Sequence, residues 1–148
     1  MSETITNEQL DVRMLPNALQ PLREQILADL TMLAQIPAPT GQEESRVRYL
    51  VDRFMEAGLP EVGPDELGNA VGLLPGVRGD RTILLVAHVD TIYARTVNHN
   101  VTLEPDRVIG PGVGDNALGA ATLAVVPLCL THLGLQLDCG ALDGLGTS

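Results

Sequence analysis

Aromatic side chains are nearly absent: the chain has no tryptophan, and Tyr49, Phe54 and Tyr93 are its only tyrosine and phenylalanine rings. A core therefore has to be built from Leu, Val, Ile and Ala. With 45% hydrophobic residues there are enough of them to exclude disorder as the state of the whole chain. Basic residues are also scarce, and the formal net charge is −10. That balance opposes nucleic acid or an anionic membrane surface as a partner. It is compatible with cation binding, although an acidic chain is more often acidic for solubility alone. Cys129 and Cys139 are the only cysteines and have neither CxxC spacing nor the pattern of a secreted disulfide framework. Both read as ordinary buried or free thiols in a reducing compartment. The start, Met1 to Met14, lacks the apolar segment of a secretory signal. The longest apolar stretch, about Gly119 to Leu130, falls short of the roughly 20 residues that cross a bilayer. These absences lead to the expectation of a soluble cytoplasmic protein, and 148 residues suit one domain.

What is present alternates between helical and strand patterns. Residues 1–18 show no periodicity and are expected to form a loose arm. Leu22, Ile26, Leu30 and Leu33 recur at helical spacing, and that helix has to stop by Pro37. Thr40-Gly-Gln-Glu43 has the form of a capping box for a second helix, with Val47, Leu50, Val51, Phe54 and Met55 on one face and Gly58 after its end. Ala70 to Leu74 reads as a short strand. Thr82 to Ala87 is continuously apolar, which predicts a central strand buried on both faces. A third helix is expected from Asp115 to about Leu133, broken or kinked at Pro127, with Gly134 as its cap. Leu135 to Leu137 could begin another strand, and the small, glycine-rich residues 139–148 are expected to be weakly ordered. Helices alternating with apolar strands predict an α/β fold, a layered sheet with helices on its faces, over residues 19–138.

The chemistry-bearing residues cluster after the apolar strand. His88 and Asp90, two apart on extended backbone, point to the same side at the carboxyl end of the strand, where open α/β sheets bind ligands. An imidazole that binds a metal generally has its other nitrogen held by an acceptor, a role open to Asp90. On the spacing alone, a local hydrogen bond at a strand end is the more ordinary reading of the same pair. Asp115 follows the loop Gly110-Pro-Gly-Val-Gly114 and has two competing roles, helix N-cap or a carboxylate shared by two cations. The loop is not the dinucleotide fingerprint: Asp115 stands at the third glycine position, and its charge would repel pyrophosphate.

In order along the chain, Ile36-Pro-Ala-Pro-Thr-Gly41, Gly68-Asn69, Ala87-His-Val-Asp-Thr91 and Gly110-Pro-Gly-Val-Gly-Asp-Asn116 resemble the M20 family of zinc metallopeptidases and amidohydrolases. The resemblance implies the zinc-peptidase catalytic fold and two Zn2+ ions, with Co2+ or Mn2+ as alternatives. His88 and Asp115 would be metal ligands, Asp115 bridging both ions and joined to Asn116 by a cis peptide, and Asp90 would orient His88. It also implies hydrolysis of a peptide or N-acyl amino acid by metal-activated water, with a glutamate taking the proton. In that family a Glu-Glu pair follows the next strand, supplying the base and a ligand. Further ligands and an inserted, dimer-forming lid domain come later, so a homodimer belongs to the full-length pattern. Leu145-Gly-Thr-Ser148 resembles the lead-in to the Glu-Glu pair, which makes this chain an N-terminal part of the catalytic domain and an inactive one alone. His99 and His132 match no family position, and the spacing of Asp138 and Asp143 does not recommend them as substitute ligands. The remaining alternatives are a non-catalytic remnant of the fold and a simple cation-binding module using His88, Asp90 and Asp115.

Overall fold

The computed structural model describes residues 11–78, 81–138 and 140–146; Cys139, the first ten residues of the arm and the last two of the chain lie outside the described residues. A single turn at Val12–Met14 leads into α1 (Leu15–Ala18), then α2 (Arg23–Gln35) and α3 (Glu44–Glu56). Strands β1 (Glu61–Pro64), β2 (Ala70–Leu74) and β3 (Thr82–His88) follow. A small hairpin, β4 (Thr102–Glu104) and β5 (Arg107–Ile109), precedes α4 (Leu118–Leu133) and β6 (Gly140–Gly146).

The main sheet has the order β1-β2-β6-β3, with β6 antiparallel to β2 and parallel to β3. The segment expected to be weakly ordered thus supplies an inner strand. Its small residues leave no sequence signal, and its place depends on long-range pairing.

The expected α/β layering is observed. Both α3 and α4 pack on the sheet, and α2 packs on α4. Leu30, Leu33, Val47, Leu50 and Phe54 form the centre of the core with Ala70, Ala87 and the alanines of α4. At Gly72 a β-carbon would lie 2.7 Å from Leu59 Cδ2 and 3.1 Å from Phe54 Cδ2, so α3 sits on β2 at a distance only glycine permits.

β3 differs from its prediction. It lies at the sheet's edge, and only the side carrying Ala87 is covered; Leu84 and Val86 are 59% and 63% exposed. The continuous apolar run implied two covered faces, and among the described residues only one has a helix on it.

Two helix ends follow the sequence closely. Gly58 (φ +81°) and Gly134 (φ +66°) both adopt the left-handed conformation. The amides of Gly58 and Leu59 donate to the carbonyls of Met55 and Phe54, and those of Gly134 and Leu135 to Thr131 and Leu130. These are paired Schellman bonds.

The expected break at Pro127 does not occur. α4 runs through it, with Pro127 buried. A proline in a helix interior costs about 3 kcal/mol. Burial of Ala120, Ala121, Leu123, Ala124 and Val125 on the same helix is the compensating term. By length and composition Val113–Leu133 could also cross a membrane, a longer segment than the apolar stretch read from the sequence. Here it serves as a core helix against α2 and the sheet.

Leu135–Leu137 does not form a strand. Leu137 and Asp138 instead accept hydrogen bonds through their carbonyls from the amides of Val77 and Arg78. Between α2 and α3 a buried carboxylate, Asp29, accepts from the Tyr49 hydroxyl at 2.7 Å and from Gln25 Nε2 at 3.2 Å. Burial and this bond raise the Tyr49 hydroxyl pKa well above its ordinary value.

Candidate metal centre

β3 delivers His88 to the rim of the sheet, and the chain beyond it is held by the segment preceding α3. The Thr91 amide donates to the Ala38 carbonyl at 2.8 Å, and Pro39 bridges to Thr91 in parallel register. One side chain of α3 secures both stretches. Arg46, 1% exposed, donates from Nε to the Ile36 carbonyl (2.8 Å) and from Nη1 to the Val89 carbonyl (2.7 Å). Burial lowers the pKa of this guanidinium, and the nearby charge of Asp90 opposes that shift.

On this frame three carboxylate oxygens and one imidazole form a chain of contacts. His88 Nδ1 lies 3.1 Å from Asp90 Oδ1, and His88 Nε2 lies 3.0 Å from Asp115 Oδ1. The Thr40 hydroxyl donates to Asp90 Oδ2 at 2.6 Å. Exposure is graded along the line: 14% for the Asp90 side chain, 45% for His88 and 83% for Asp115. The Asp90 side is closed and the Asp115 side opens to solvent.

Asp115 reaches His88 because the loop before it turns sharply. Gly112 has φ +70°, and a β-carbon there would lie 3.2 Å from Thr91 Oγ1, so the turn and the close approach both call for glycine. The Asp115–Asn116 peptide is cis, and both residues depart from helical backbone angles. Among the described residues no side chain caps α4. Asp115 therefore does not act as a cap of α4, and its Oδ1 faces the imidazole instead.

Asn116 completes the corner: its Nδ2 donates to the His88 carbonyl at 3.4 Å, and Gly119 leaves it room. A β-carbon at Gly119 would fall 2.3 Å from Asn116 Oδ1. Gly119→Ala must displace Asn116 and is expected to cost about 1–3 kcal/mol. Urea denaturation should show this as a lower midpoint with an unchanged slope.

Other sequence candidates lie elsewhere. His99 Nε2 contacts the Ala94 carbonyl, His132 Nε2 contacts the Ala18 carbonyl, and Asp138 pairs with Arg78 at 3.0 Å. Asp143 stands in β6, in register with Leu85. Two residues of the site were not read from the sequence. The pattern Thr40 to Glu43 predicts a helix cap, but among the described residues α3 begins at Glu44 without a side-chain cap, Glu43 turns back to the Gly41 amide, and the Thr40 hydroxyl goes to Asp90. Arg46 left one signal, a cation four residues before Leu50 on an otherwise apolar stripe.

The donors suit zinc, which takes imidazole nitrogen and carboxylate oxygen. Each nitrogen of His88 faces a carboxylate oxygen. Because a carboxylate only accepts, each contact calls for a proton or a cation between the two atoms. A catalytic zinc generally has three protein ligands. His88 and Asp115 would make two, and the described residues hold no cluster of three or more His, Cys, Asp or Glu arranged for a metal.

The fold is that of zinc-peptidase catalytic domains, and comparison with known proteins gives the class its particulars. The family model of peptidase family M28 matches residues 69–139, so the matching model is M28 where the motifs resembled M20. A Thermococcus kodakarensis protein named as a LysW-lysine/LysW-ornithine hydrolase is 41% identical over 63 residues, 43% of this chain and 17% of that protein. Carboxypeptidase G2 of Pseudomonas sp. is 28% identical over 132 residues, 81% of this chain and 31% of the enzyme. The chain therefore spans less than a third of either relative's length.

Human carnosine dipeptidase 1 superposes with a TM-score of 0.74 at 13% identity, covering 93% of this chain and 34% of that one. YxeP of Bacillus subtilis, a dinuclear metal-binding peptidase of the M20 family, gives 0.65 at 10% identity, covering 87% and 36%. Identities this low speak for the fold alone.

Proposed function

We propose that this chain is part of the catalytic domain of a metal-dependent hydrolase of amide or peptide bonds, of the M20 type. Its substrate would be a peptide or an N-acyl amino acid. The observation that carries the reading is the line Asp90–His88–Asp115, with contacts of 3.1 and 3.0 Å at the carboxyl end of β3. His88 Nε2 and Asp115 Oδ1 would hold the ion, zinc foremost and Co2+ or Mn2+ as alternatives. Asp90 would keep the proton of the ring on Nδ1 and so leave Nε2 free to donate its electron pair. A divalent ion there would polarise the scissile carbonyl and activate water for attack on it. The matched M28 model and the peptidase and hydrolase relatives support the same reaction class.

With two of three ligands, the chain alone should bind zinc weakly. Without the general base that the M20 pattern places after the next strand, it should not turn over. Calorimetric titration with zinc is expected to give a weak isotherm that His88→Ala and Asp115→Ala each abolish. Assays on dipeptides and N-acyl amino acids should show no hydrolysis. Zinc binding that survives both substitutions would refute the site.

A further inference from the structure

We propose that Thr40 is a positioning residue of this site: its hydroxyl locks Asp90 so that Asp90 in turn fixes the His88 ring. This deepens the metal-site reading and rests on it for its functional meaning.

A carboxylate on a single bond rotates unless both of its oxygens are engaged. Here Oδ1 faces His88 Nδ1 at 3.1 Å and Oδ2 accepts from Thr40 Oγ1 at 2.6 Å, a short charge-assisted bond. The two partners lie at very different distances along the chain, His88 two residues before Asp90 and Thr40 fifty before it. Together they determine the plane of the carboxylate.

Thr40 is itself held in place. The Thr91 amide donates to the Ala38 carbonyl, Pro39 bridges to Thr91, and Arg46 grips the Ile36 and Val89 carbonyls on either side of the junction. The segment before α3 is thereby sewn to the backbone that carries His88 and Asp90, which brings a hydroxyl from one onto a carboxylate of the other. A helix-capping role would have left Thr40 bonded to its own helix. Its bond to Asp90, and the uncapped start of α3, assign the hydroxyl to the site.

The test needs neither metal nor turnover. The Nδ1 proton of His88, assigned by its loss in His88→Asn, is followed by nuclear magnetic resonance in wild type, Thr40→Val and Thr40→Ser. Wild type and Thr40→Ser should both show a downfield, slowly exchanging Nδ1 proton. In Thr40→Val its exchange should quicken by about tenfold or more, or the resonance should vanish, as expected when a hydrogen bond to a charged group is lost. A merely structural threonine would not be rescued by serine, whose side chain lacks the methyl group but keeps the hydroxyl. An unchanged Nδ1 proton in Thr40→Val overturns the proposal, as does a Thr40→Ser spectrum matching that of Thr40→Val. Zinc titration of the same samples reads the metal site separately: a wild type that binds no zinc refutes the proposed function, while the proton still decides the role of Thr40.

Discussion

Arg46→Ala is expected to destabilise the chain by about 3 kcal/mol or more and to loosen the site at the same time. The guanidinium is 1% exposed and is the hydrogen-bond donor to two carbonyls, Ile36 and Val89. A buried acceptor that loses its partner costs about 1–3 kcal/mol, and here two lose theirs along with the packing of the arginine stem. One consideration works in the other direction. Arg46 Nη2 is buried with no hydrogen-bond partner among the described residues, so the native state already carries part of the cost of burying this charge. Arg46→Met isolates that balance, because it keeps the stem, removes the charge and still orphans both carbonyls. Its loss should be smaller than that of alanine but remain above 1 kcal/mol by the same principle. Urea denaturation would measure both. If Arg46→Met proves as stable as wild type, the bonds to Ile36 and Val89 contribute no net stability.

The position of Arg46 also shows what could and could not be read in the sequence. Periodicity marks α2 and α3, because each has to turn an apolar stripe inward, small and apolar residues mark α4, and glycines at 58 and 134 mark two ends whose left-handed geometry glycine favours. The sequence motifs pointed to His88, Asp90 and Asp115, which the fold brings into one line of contacts. Three things were hidden, each because it depends on residues far apart in the chain. β6 pairs with β2 and β3 across more than fifty positions, and its glycine-rich sequence carries no strand signal. The exposure of one face of β3 depends on how the helices pack on that sheet, and its continuous apolar run reads as a strand covered on both faces. Thr40 matched a local capping pattern well enough to mask its actual partner, Asp90. Local physics offers the hydroxyl a backbone amide of the next helix, and the sheet rim supplied a carboxylate instead.

Phe54→Ala is the substitution expected to damage the core most, by about 3–5 kcal/mol, a large part of the 5–15 kcal/mol that typically holds a domain folded. Phe54 is fully buried, and its ring approaches the backbone at Gly72, where a β-carbon would lie 3.1 Å from Cδ2 and 3.3 Å from Cγ. Its carbonyl also accepts the Leu59 amide in the bond that closes α3. In a chain so poor in aromatics no neighbouring ring can swing in, so the cavity should persist rather than collapse. A double-mutant cycle makes the argument specific. Gly72→Ala alone should be destabilising, because the new methyl meets both Leu59 and Phe54. In the Phe54→Ala background part of that clash is gone, and the methyl fills some of the vacated space. The cost of Gly72→Ala should therefore fall by at least about 0.5 kcal/mol, the threshold at which contacting residues are distinguished from independent ones. Strict additivity of the two substitutions would mean that α3 and β2 are not packed ring against backbone at this point.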